Sequence, residues 1–246
     1  MKIKYILTIF LVLAGCASEK DDVTVDLAPA VSRPVGDVNI EVMRGLTPFM
    51  HDYRENHFPA VHRGLLNFTR NLREPVTAIN SVLMLDIKNV GVSASRFVIN
   101  TTAGLLGFFD VAQHIGLERS RRDFGMVLGA WGVPMGGFFN VPIMGPTNTR
   151  DFAGGIVNAA LDPIFWFVGF WPALAVGVSS GTLELYEGHS FIIATAETSL
   201  DPYVTFRTMY LQNRKSTVDK YLIFPAGTNS GGSAVPAGLD FDMFEE

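Results

Sequence analysis

The stretch from Arg122 to Asp151, R-D-F-G-M-V-L-G-A-W-G-V-P-M-G-G-F-F-N-V-P-I-M-G-P-T-N-T-R-D, limits most tightly what this chain can fold into. No charged side chain lies between Asp123 and Arg150, yet six glycines and three prolines keep the run from being one regular helix or strand. Irregular backbone ordinarily sits in water, because buried N–H and C=O groups without partners are costly. An apolar and irregular segment therefore predicts a loop that faces an apolar medium while bonding its own backbone locally, as a hairpin does. The bland alternative is a core loop of a soluble enzyme.

Composition sharpens the choice. Of 246 residues, 48% are hydrophobic and 17% charged, against about 25% charged in ordinary soluble domains. Nineteen phenylalanines make an apolar surface the better account than a generous core alone. Part of the excess belongs to the first residues, where Lys2 and Lys4 precede an apolar run from Ile6 to Leu13 that is too short to span a bilayer. Leu13-Ala14-Gly15-Cys16 then resembles a bacterial lipobox. That resemblance implies cleavage before Cys16, acylation of its thiol and new amino group, and stable anchoring by more than one acyl chain. Ala17 and Ser18 come next, not Asp, which among Gram-negative lipoproteins points to the outer membrane. As the sole cysteine, Cys16 leaves no disulfide within the chain. The net charge of −5 becomes more negative once Lys2 and Lys4 are removed, and no basic stripe invites nucleic acid. The one basic cluster, Arg119, Arg121 and Arg122, reads as a polar helix end or loop, with lipid phosphates as the sharper alternative.

Four regions are expected: a signal segment 1–15, a lipidated tether 16–37, a helical domain 38–215 and a low-complexity tail 216–246. In the tether, Pro29 and Pro34 are read as interrupting any helix. Helical spacing runs through Val38, Val42, Leu46 and Phe49. It resumes from Val76 with Ile79, Leu83, Ile87 and Val90 on one face, and continues through Ala94, Phe97, Val98 and Thr101 to Gly104. Residues 163–183 are uncharged over a spanning length, but Pro172 between Gly169 and Gly177 predicts a bend that suits one leaflet rather than two. Phe165, Trp166, Phe167, Phe170 and Trp171 are its candidate membrane contacts. Beyond Ser179 the pattern turns amphipathic, and Asp201-Pro202 starts another helix.

Catalytic and metal readings find little. Gly177-Val178-Ser179-Ser180-Gly181 fits the G-x-S-x-G nucleophile pattern, but the only downstream histidine is His189, so the required triad order is missing. His57 and His62 lack the further ligands of a metal site. No GxxxxGK is present to cradle a nucleotide. No metal and no cofactor are expected beyond the covalent lipid on Cys16, and no enzymatic activity.

Six motifs carry a family resemblance: N-F-x-x-N-L-x-E-P (Asn67 to Pro75), R-F-x-x-N-x-T-x-G (Arg96 to Gly104), G-x-x-D-x-A (Gly107 to Ala112), D-F-G-x-x-L-G-x-W-G-V (Asp123 to Val133), G-P-x-x-x-R-D (Gly145 to Asp151) and D-P-Y-x-x-x-R-x-x-Y-L-Q-x-R (Asp201 to Arg214). In this order they resemble the MlaA/VacJ family of outer-membrane lipoproteins. The resemblance implies an all-α, ring-like bundle of amphipathic helices with an apolar Gly/Pro-rich hairpin, monotopic in one leaflet on the periplasmic face. It implies a passive phospholipid channel that clears the outer leaflet, works with a trimeric porin and hands lipid to a soluble periplasmic carrier. A lipid-anchored scaffold that recruits those partners without conducting lipid is the alternative. Gly132 to Gly145, Pro142 included, is expected to gate or border the passage: Gly136 and Gly137 allow the bend, Phe138, Phe139, Val141 and Ile143 meet acyl chains, and Asn140 faces headgroups. The family's D-P-aromatic-E-x-x-N-R segment after the cysteine is missing, and Met84-Leu85 replaces its Gln-Gly.

Overall fold

The computed structural model describes residues 26–56, 59–162, 165–166 and 169–223, so Cys16, the signal segment, His57, Phe167 and the tail from Pro225 lie outside the described residues. Among those described, the chain forms α1 (Pro29–Asn56), α2 (Pro59–Leu72), α3 (Glu74–Leu83), α4 (Ile87–Thr102), a single turn α5 (Val111–His114) and α6 (Phe124–Ala130). Strands β1 (Phe138–Val141) and β2 (Gly145–Asn148) come next, then α7 (Thr149–Ala160), α8 (Phe170–Thr198) and α9 (Pro202–Asp219). Side-chain caps set many starts: Asp86, Asp110, Asp123, Asn148 and Asp201 each accept the N–H three residues on, worth about 1 kcal/mol apiece.

The helices close a circuit of contacts: α1 packs on α8, α8 on α2, α2 on α3, α3 on α6, α6 on α9, and α9 returns to α1. This is the helical, ring-like arrangement expected, with the two antiparallel strands as the exception to helix. The apolar core lies at one side of the circuit, where Phe124, Met126, Val127, Leu128 and Ala130 of α6 gather Met84 and Val218. Small residues make that packing possible. A Cβ on Gly154 of α7 would stand 2.4 Å from the backbone nitrogen of Gly125, so the two helices touch backbone to backbone.

Several boundaries differ from the sequence reading. The run Arg122–Asp151 divides in two: its first part is the regular, wholly buried helix α6, because its glycines let α7 and α9 approach, and only the part beyond α6 forms the hairpin. Helix α1 begins at Pro29, not at Val38, so the tether is shorter than residues 16–37. Pro29 occupies the first helical position, and Pro34 and Pro48 inside α1 each remove one backbone bond while β1, α8 and α9 hold the helix from outside. The helix expected from Val76 through Val90 is broken at Leu85, whose φ is +58°, and restarts behind the Asp86 cap. Pro172 stands in the first turn of α8, where proline costs a helix little. The break in 163–183 lies instead at Gly169, with φ +92°.

Polar anchors fix the hairpin to the frame. Asp151 accepts from Arg214 Nε (2.6 Å), Tyr210 Oη (2.7 Å) and Asn148 Nδ2 (2.7 Å), and Arg214 also donates to Asp123. One guanidinium thus ties α9 to the start of α6 and the start of α7. Burial by itself would raise the Asp151 carboxyl, but the charges of Arg150 and Arg214 and the bonds from Arg214 and Tyr210 outweigh it and hold Asp151 below the usual carboxylate range.

Gly154→Val should abolish cooperative unfolding or lower Tm severely, whereas Gly91→Ala, on α4 with open space around the site, should stabilise by about 0.5–1 kcal/mol; thermal melts of the two variants check the opposite signs. Because the folded pKa of Asp151 lies below its unfolded value near 3.9, its contribution is fully present above about pH 4 and lost as pH falls through the lower native value. Asp151→Asn should therefore flatten the acid limb of denaturant midpoint against pH, and destabilise at pH 7 by about 3 kcal/mol through the uncompensated guanidiniums.

Candidate functional site

A helix of a water-soluble domain turns its apolar stripe to the core. Helices α3 and α4 do the reverse. The buried residues of α4 are Asn89, Ser93, Arg96 and Asn100, and those of α3 include Glu74, Thr77, Asn80 and Ser81. Ile79, Val82, Leu85, Ile87 and Val98 are exposed, including Ile79 and Ile87, the positions that spacing assigns to one common face. The inward polar face is bonded within itself. Arg96 donates to Glu74 (3.0 Å), to Asp110 (2.8 Å) and to the Leu117 carbonyl. Asn100 donates to Asp110 at 2.9 Å, and Asn89 to Ser81 at 2.7 Å. Family-motif residues thus serve as the lock between α3, α4 and the loop at α5.

Further charges continue this interior. Glu184 of α8 stands 4.0 Å from Arg70 of α2 and 3.8 Å from Arg121, and Arg119 stands 3.6 Å from Glu74. Burial, reinforced by Arg70 and Arg121 and opposed by Glu74 and Glu184, lowers the Arg119 guanidinium to about 10. Burial and the neighbouring Arg121 charge lower Arg73 as well. The cluster Arg119, Arg121 and Arg122 does lie in a loop, between α5 and α6, but Arg122 is buried against Asp86 (2.9 Å) and over the Tyr221 ring (4.3 Å).

The expected hairpin exists, with Phe138 opposite Asn148 and Val141 opposite Gly145. Its tip is Pro142-Ile143-Met144, with Ile143 at φ +69° and Gly145 at φ +85°. Gly136 and Gly137 are not the bend. They lead into β1, where Gly136 has φ +69° and a Cβ on Gly137 would stand 2.2 Å from Leu27. Gly132, also at positive φ, turns the chain out of α6.

Phe138 cannot meet acyl chains, since it is 0% exposed with its ring against Tyr203 and Tyr210. Asn140 is committed to Ser32 of α1 through its backbone N–H (3.1 Å) and side-chain amide (3.3 Å). Phe139 is half-buried on Phe152 and Val141 is half-buried, whereas Ile143 and Met144 are exposed. Asn39 of α1 pins the tip: its amide donates to the Val141 carbonyl (3.0 Å) and its oxygen accepts the Ile143 N–H (2.8 Å).

Sequence reasoning missed an outer set. Leu85, Leu105, Leu106 and Ile143 have positive φ and are each exposed over more than half of their surface. Left-handed backbone strains a non-glycine residue, and exposure of a large aliphatic chain to water adds to the cost. An apolar medium would remove the second penalty. The flanking Gly104 and Gly107 were the available signal. Of the expected aromatics, Trp166 and Trp171 are exposed, Phe165 is half-buried against Trp166, and Phe170 opens α8. Ser179 lies inside α8, not on a strand-to-helix elbow, and buried His189 stands 3.0 Å from the Met43 carbonyl. His62 is paired with Glu187 at 3.0 Å. Among the described residues no helix is long and apolar enough to cross a membrane.

Comparison with known proteins agrees with this architecture. The MlaA lipoprotein family profile matches residues 26–217. A Haemophilus influenzae protein called intermembrane phospholipid transport system lipoprotein MlaA is 33% identical over 234 residues, covering 89% of this chain and 92% of that one. Its Escherichia coli K12 namesake is 30% identical over 81% of this chain and 82% of its own. An uncharacterized Rickettsia bellii protein is 38% identical over 62% of this chain, and the match takes in only 60% of that protein's length. A solved structure, described as a structural basis for maintenance of bacterial outer membrane lipid asymmetry, superposes with a TM-score of 0.68 at 27% identity, over 78% of this chain and 98% of that one. With a matching profile across most of its length and a relative matched nearly end to end, the chain belongs to the MlaA lipoprotein family.

Proposed function

We propose that the protein is a passive conduit for phospholipids. Anchored through acylated Cys16 in the inner leaflet of the outer membrane of a Gram-negative cell, it takes phospholipids that have strayed into the outer leaflet. It lets them pass its ring beside a trimeric porin, and releases them to a soluble periplasmic carrier. The observation that carries this reading is the inverted polarity of α3 and α4, with charge inward and aliphatic side chains outward. A charged headgroup near a bilayer centre costs on the order of 2.5–3.5 kcal/mol or more, so a path for an intact lipid needs a polar inner face, and a body lying in one leaflet needs an apolar outer one. The relatives' name, an intermembrane phospholipid transport system lipoprotein, supports the substrate class. With no nucleotide-cradling motif in the chain, flow runs down the lipid gradient.

The hairpin tip is the moving part in this reading, and Asn39 is its latch. Asn39→Ala deletes two bonds, which shifts the tip's equilibrium by roughly tenfold or more. Cells carrying it should show altered outer-leaflet phospholipid and altered detergent resistance at unchanged protein level. Unchanged lipid distribution, with porin and carrier still co-purifying, would contradict the conduit and leave the lipid-anchored scaffold.

A further inference from the structure

We infer that the cavity between α2 and residues 108–114 is a binding site for a phosphodiester borne on an apolar body. Its volume is about 710 Å³, within the range of pockets that hold whole small ligands and far larger than a phosphate ion needs. Arg63, Asn67 and Arg70 line it from one face of α2, and Phe108, Phe109 and Gln113 from the other side. Among the described residues Arg63 makes no hydrogen bond or ion pair. The Nε of Arg70 is buried without an acceptor, and its nearest carboxylate, Glu184, is 4.0 Å away. The carboxylates of the cavity itself are already engaged: Asp110 accepts from Arg96 and Asn100, and Glu187 stands at 3.0 Å from His62.

Two guanidiniums therefore border one space with too little negative charge to satisfy them, and a buried N–H without a partner is costly. Guanidinium forks match phosphate oxygens, and the two non-bridging oxygens of a phosphodiester accept from two arginines at once. Leu66, Phe108 and Phe109 give the wall an apolar part beside the polar Asn67, Gln113 and His114. Phe109 lines the cavity and is half exposed, and the nearby Leu105 and Leu106 are exposed as well, so an apolar body attached to the bound phosphate has exposed apolar side chains close by. A glycerophospholipid headgroup meets all of these demands. The assignment rests on the conduit reading for its source of ligand, and free phosphate is the competing source.

The test uses the full acylated protein in detergent, with binding measured for dioleoylphosphatidylglycerol, dioleoylglycerol, glycerophosphoglycerol, oleate and inorganic phosphate. Arg63→Gln and Arg70→Gln should each weaken dioleoylphosphatidylglycerol about tenfold or more and leave dioleoylglycerol unchanged. Arg44→Gln, whose partner is Glu41 on its own helix, should change neither. Because Arg63 is exposed, its variant folds whatever Arg70→Gln does. Unchanged phosphatidylglycerol affinity in Arg63→Gln overturns the site. Inorganic phosphate or glycerophosphoglycerol binding as tightly as the lipid overturns the lipid assignment, and an equal loss for oleate overturns the phosphate assignment. The conduit reading is judged separately, by outer-leaflet phospholipid in cells carrying Asn39→Ala.

Discussion

Burying the polar faces of two helices is costly unless their donors and acceptors find partners, and Arg96 supplies three such bonds, while Asn80 Oδ1 and Ser93 Oγ are buried on these faces without one among the described residues. The Arg96 guanidinium reaches Glu74 on α3, Asp110 at the start of α5 and the Leu117 carbonyl, so one side chain joins α3, α4 and the loop beyond. A buried ion pair is weak evidence for stability when a hydrophobic substitute would do as well. Here the faces of α3 and α4 that meet are built mainly of polar residues, while Ile79, Val82, Ile87 and Val98 are turned outward. Burial of Arg96 opposes its charge, but the bonds to Asp110 and Glu74 prevail and raise it; Asp110 is correspondingly held below the usual range. The charged interior is thus the part of the molecule that specifies how its helices meet, and the apolar core around α6 supplies cohesion at one side.

The hairpin is tied into this frame more firmly than a free loop. Its base is held by the Asp151–Arg214–Asp123 network, its inward ring is the fully buried Phe138, and α1 bonds it at Ser32 and Asn39. The chain arriving from the direction of Cys16 docks on it too. Leu27 donates its N–H to the Phe138 carbonyl at 2.7 Å, and Asp26 accepts from Tyr203 (3.0 Å) and Arg207. At the tip the side chains of Ile143 and Met144 are exposed, and α1 holds it through the two Asn39 bonds. Motion of the hairpin as a whole would require several buried bonds to break, whereas motion of the tip requires two.

What was legible in the sequence was what local chemistry dictates. An uncharged, glycine-broken run has few options, and the hairpin is one of them; Asp201-Pro202 caps a helix wherever it stands. Sidedness was harder to read. In a four-residue strand, alternation separates Phe138 from Phe139 but does not say which faces in, and the tyrosines of α9 decide it. Helical spacing put Ile79 and Ile87 on one face but could not say which way that face turns, since periodicity identifies an apolar face without naming the medium it meets. Leu85 carries no glycine or proline signal, so the break between α3 and α4 was invisible. Arg63 and Arg70 lie on one face of α2, but their lack of compensating charge depends on where Asp110 and Glu187 are spent, which only the assembled structure determines.

The central claim is that the apolar outer surface lies in lipid. The chain has three tryptophans, Trp131, Trp166 and Trp171, and all are exposed, which makes intrinsic fluorescence a direct reporter. In vesicles containing phospholipids brominated along the acyl chains, emission should be strongly quenched relative to unbrominated vesicles, while aqueous acrylamide quenches weakly. Emission indifferent to the bromines and readily quenched by acrylamide would place those faces in water and contradict the account.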